Sequence, residues 1–166
     1  MLEMVWQARA WLQYVVLVLL FALALWRGAA PEKWCAGLLF AMLPEEWLYL
    51  FMVSGNQTFR TVDIGHTLID AFTFAGLFYV ALHANRVYPL WLGGAQLISL
   101  MGHLSRLAMV QIDPIAYAIM SRIPSYIEIV AMSLGLAFHV HRRRKRGNYP
   151  SWRSSSALSH RTVPIR

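Results

Sequence analysis

The chain has 166 residues, of which 58% are hydrophobic and 14% charged, with a formal net charge of +7. A water-soluble domain is nearer ~45–50% apolar and ~25% charged, so the composition excludes an ordinary soluble domain. The single cysteine, Cys35, excludes an internal disulfide and any cysteine-based metal motif.

Taken in order, the chain opens with a short polar start containing Glu3 and Arg9, and residues 10–28 then form the cleanest apolar run, with Gln13 as its polar interruption. Glu3 in the leader and the Trp26-Arg27 pair argue for a retained spanning helix rather than a signal peptide cut near Ala30. A second run over 34–54 is broken by Pro44, Glu45 and Glu46. The pieces on either side of Pro44 are too short to cross hydrocarbon alone, so this segment reads as one kinked span. A polar loop follows, and then two apolar runs, 63–84 and 88–110, joined by only a few residues. A last run covers 115–140 and contains Arg122, Pro124 and Glu128.

The expected fold class is therefore all-α, a polytopic transmembrane bundle of about five spanning helices within residues 1–140. Residues 141–166 are expected to be a disordered basic tail. The run HRRRKR supplies most of the positive surplus. In a membrane chain, Arg142, Arg143, Arg144, Lys145 and Arg146 mark the cytoplasmic side and touch anionic lipid; they are not a nucleic-acid site. Five spans put the N-terminus outside. Arg27, Lys33 and Arg86 then fall inside, consistent with the positive-inside bias.

The ionisable groups within the spans carry the most information. At 1.5 Å per residue, Asp70 lies about 10 Å below the outer face, and Glu46, His103 and Arg122 about 12 Å below it. Glu45 adjoins Glu46, and His66 and Arg106 sit a turn shallower. Charges at that depth cost at least ~2.5–3 kcal/mol each, so they are expected to turn inward and pair. Glu45, Glu46, His66, Asp70, His103, Arg106 and Arg122 thus form a candidate buried polar layer. Glu128 stands apart, expected to be neutral or hydrogen-bonded to Ser121 or Ser125.

Three functions fit such a layer. A self-neutralising network fixing helix register needs no ligand and would suit an accessory or assembly component. A small carrier or proton relay would use Asp70, Glu45, Glu46 and His103. A membrane redox subunit would use His66 and His103 for haem or a divalent metal, although two arginines at the same level repel a cation. The sequence has no phosphate-cradling Gly loop, HExxH or nucleophile elbow, which leans the reading away from an enzyme and from a resident cofactor. The expected partners are the bilayer and a membrane protein or a second copy of the chain.

The stretch ALHANRVYPLWLGGAQLISLMGHLSRLA, with its RVYPLW turn, the GGAQL after it and the GHL around His103, resembles a group of uncharacterised small polytopic membrane proteins of alphaproteobacteria. The resemblance implies membrane topology and a bacterial inner membrane, and carries no activity.

Overall fold

The structure, a computed structural model, describes residues 2–53, 64–108, 114–147 and 149–153. These form five helices: α1 (Leu2–Arg27), α2 (Ala30–Val53), α3 (Ile64–His83), α4 (Tyr88–Ala108) and α5 (Pro114–Arg146). There is no strand among the described residues, only an isolated bridge between Ala84 and Trp152. The segment carrying Pro44 is one helix, α2.

The helix ends follow from local chemistry. The Gly28 amide bonds the Ala24 carbonyl at 2.9 Å and closes α1. Two residues later α2 begins, with Pro31 in its first turn, where a missing N–H costs nothing. Glu32 reaches back to accept the Ala29 amide at 3.1 Å, which is half of a capping box. Gly147, at φ 71°, ends α5, and its amide bonds the Arg143 carbonyl at 3.0 Å. That left-handed cap is one a side chain with a Cβ adopts only with strain.

Helices adjacent in sequence pack against each other, α1 on α2, α2 on α3 and α4 on both α3 and α5, and α5 also touches α1 and α2. Leu20, Ala24, Cys35, Leu39, Leu77, Val80, Leu92 and Met132 form the buried core. Gln13 Nε2 donates to Ser125 Oγ at 2.9 Å, tying α1 to α5. The α4–α5 contact is close enough that a Cβ at Gly135 would run into the Tyr88 ring. Gly135→Ala is therefore expected to cost about 1–3 kcal/mol by overpacking. A thermal midpoint in detergent equal to that of the parent protein would contradict this.

Beside this apolar core several polar groups are buried, and many large apolar side chains face outward. Glu32, Asp70, Arg86, Gln96, His103, Glu128 and His139 are buried, while Trp11, Trp26, Phe72, Trp91 and Phe138 lie exposed. Two helical stretches, Gly65–His83 and Arg122–Arg146, are long and apolar enough to cross a membrane, and α1 contributes a shorter apolar stretch, Trp11–Arg27.

Part of the segment expected to be a disordered tail is ordered, while residues 154–166 lie outside the described residues. Instead of becoming disordered at His141, α5 continues through Arg146, and residues 149–153 fold back over the turn between α3 and α4. The Asn85 amide bonds the Ser151 carbonyl at 3.1 Å, and the Arg153 amide bonds the His83 carbonyl at 2.8 Å. Trp152 packs against the core. The composition of the segment is polar and basic, but Trp152, Tyr149 and two backbone bonds fix it in place.

Candidate functional site

Asp70 occupies the seventh position of α3 and points at α4, where Gln96, Ser99 and His103 sit at helical spacing on one face. Gln96 Nε2 donates to Asp70 Oδ1 at 2.9 Å and Ser99 Oγ donates to Oδ2 at 2.6 Å. His103 Nε2 lies 3.2 Å from the same Oδ2. All four residues are buried. A carboxylate with both oxygens engaged by a neighbouring helix needs no further ion to hold it.

Glu128 of α5 is buried beside this knot, near enough to interact electrostatically with Asp70, and its Oε1 has no hydrogen-bond partner. The expected bond to Ser125 does not form. The Ser125 hydroxyl instead donates to the Arg122 carbonyl at 2.7 Å and accepts from Gln13.

Of the expected polar layer, the structure brings Asp70 and His103 together. His66 is half-buried, one turn before Asp70. Arg122 is exposed rather than buried. It shares an exposed stripe of α5 with Ile119, Ile123 and Tyr126, and counting residues from a span end fixes depth but not the face. The side chains of Glu45, Glu46 and Arg106 lie outside the described residues. Among those described, no group of three or more His, Cys, Asp or Glu is arranged to hold a metal.

A second polar box, not anticipated from the sequence, lies at the end of the bundle where α1 ends and α2 begins. Glu32, with no exposed surface, accepts Arg86 Nε at 3.0 Å on Oε1 while its other oxygen caps α2. Arg86 also donates from Nη1 to the Asn85 carbonyl at 3.0 Å, and its guanidinium stacks 4.4 Å from the centre of the Tyr149 ring. Arg86 Nη2 lies 3.4 Å from His139 Nδ1, and the Tyr149 hydroxyl 2.8 Å from that same nitrogen. A guanidinium has no lone pair to offer, so Nδ1 is the acceptor and the imidazole proton belongs on Nε2. The 3.7 Å approach of His139 Nδ1 to Glu32 is then a neighbourly contact and not an ion pair. Four elements, α2, the α3–α4 turn, α5 and the fold-back segment, meet on this one arginine.

Around the box every other described ionised side chain is cationic: Arg27, Lys33, Arg153 and the run from Arg142 to Arg146. A cavity of about 620 Å³ opens here between the α3–α4 turn, the last turns of α5 and the fold-back segment.

Comparison with family models, with curated proteins and with solved structures returned no match.

Proposed function

We propose that the chain is a small multi-pass protein of a bacterial inner membrane, with its N-terminus outside and its basic end in the cytoplasm. In this reading it serves as an accessory or assembly component whose buried polar groups hold five helices in register. Apolar side chains outward and polar ones inward is the arrangement that a hydrocarbon surround favours. The cations gathered at the Arg86 end support the assigned sidedness. The observation that carries the structural role is the closed coordination of Asp70 by Gln96, Ser99 and His103. A carboxylate so enclosed fixes the α3–α4 register and presents little to a passing solute.

The test is Asp70→Asn in the full chain, purified in mild detergent with whatever protein accompanies it and also reconstituted in vesicles. A lower thermal midpoint, with unchanged co-purification per folded molecule and no altered proton or ion flux, is the expected result. A variant that stays as stable as the parent yet loses flux would overturn the structural role.

That outcome would favour a second reading, a proton relay, for which Glu128 gives the specific reason. A buried carboxyl with one bare oxygen beside an Asp–His pair can hold a mobile proton. The relay would then run through Glu128, Asp70 and His103.

A further inference from the structure

The cavity at the Arg86 end is lined by Arg142, Lys145 and Arg146 from one face of α5, spaced three and four residues apart. Arg153 enters the same cavity from the fold-back segment, held there by its backbone bond to His83. No carboxylate lines it; Glu32, the nearest acid, is already committed to Arg86 and the cap of α2. Among the described residues none of these four cations has a carboxylate partner. Complementing the α5 dipole does not require such convergence, because Arg143 and Arg144, which do not line the cavity, serve the dipole equally well.

Beside these cations the cavity has exposed apolar lining. Val87 and Phe138 line it and are 69% and 64% exposed, and Leu134, one turn back along α5 from Phe138, is exposed as well. Guanidinium groups favour phosphate oxygens geometrically, and exposed aliphatic and aromatic groups beside them favour hydrocarbon. An inorganic phosphate would use the first feature and gain nothing from the second.

We propose that this cavity seats the phosphate headgroup of an anionic phospholipid from the surrounding leaflet, with the acyl chains running outward along Phe138 and Leu134. The site rests on the membrane reading given above and adds a defined lipid position to it. Arg142, Lys145, Arg146 and Arg153, all in the cavity lining, supply the positive charge for the headgroup.

Native mass spectrometry of the full chain in neutral detergent, titrated with dioleoyl-phosphatidylglycerol or with dioleoyl-phosphatidylcholine, tests this. Phosphatidylglycerol should be retained preferentially, and Lys145→Gln with Arg146→Gln should weaken that retention at least about tenfold. The matched pair Arg143→Gln with Arg144→Gln removes the same charge from the same turns without touching the cavity lining and should change it by less than about threefold. Equal losses in the two pairs would reduce the effect to general surface attraction and sink the site. Millimolar inorganic phosphate displacing the lipid stoichiometrically would overturn the lipid assignment in favour of a soluble anion. A chain that stays dispersed without detergent would end the membrane reading itself. One that needs detergent yet holds both lipids alike would end only the headgroup site.

Discussion

Arg86→Met is expected to cost about 3–5 kcal/mol of stability, the largest single-residue loss we anticipate outside the core. The substitution keeps much of the apolar stem and removes the guanidinium, which leaves Glu32 buried without its counter-charge. It also strips the stacking partner from Tyr149 and the donor from Asn85's carbonyl. The companion variant Glu32→Gln with Arg86→Met removes both charges and should recover most of the loss, because an apolar or neutral replacement of a buried pair is often tolerated. Thermal unfolding of the full chain in one detergent, followed by its helical signal, measures both. If Arg86→Met unfolds within a degree of the parent, the box does not hold the bundle together.

Asp70→Leu should be the second most damaging change, at about 3 kcal/mol or more, since each buried donor left without an acceptor costs about 1–3 kcal/mol. The leucine would strand the Gln96 amide, the Ser99 hydroxyl and His103 Nε2 together. Asp70→Asn is milder, because its amide oxygen still accepts from one of them. Adding Ser99→Ala to Asp70→Leu should return part of the loss, as these two residues are directly bonded and their effects do not add. The ordering Leu worse than Asn, and Leu improved by Ser99→Ala, is the pattern to look for; additive losses would mean the contacts are incidental.

The five helices were legible because run length and apolar content are properties of each segment alone. Asp70 and His103 were legible for a related reason: an ionisable residue inside an apolar run is conspicuous wherever it points. Their true partners, Gln96 and Ser99, were passed over, because a neutral polar residue in a span draws less notice than a charge. Arg122 is exposed on α5, and its exposure was not legible because depth along a helix says nothing about rotation around it. The Glu32–Arg86–His139 box was missed for a different reason. Glu32 and Arg86 sit in or beside connectors, where charges are usually solvated, and His139 sits near a span end, where imidazoles are commonplace. A signal was present in Glu32 itself, the lone acid among the cations of that end and three residues after the cap position of α2. Such an acid has a structural duty by position and a choice of cations to meet. Tyr149 and Trp152, the aromatic residues of a tail rich in serine and arginine, fasten that segment to the bundle.

The box around Arg86 is assembled from pieces that leave the ribosome at very different times. Glu32 and Arg86 emerge early, His139 follows with the final helix, and Tyr149 comes after it. During synthesis the arginine therefore has one carboxylate for company and an open side. Only when the last helix has formed and the chain has turned back can the aromatic ring lie over the guanidinium and shut it away from water.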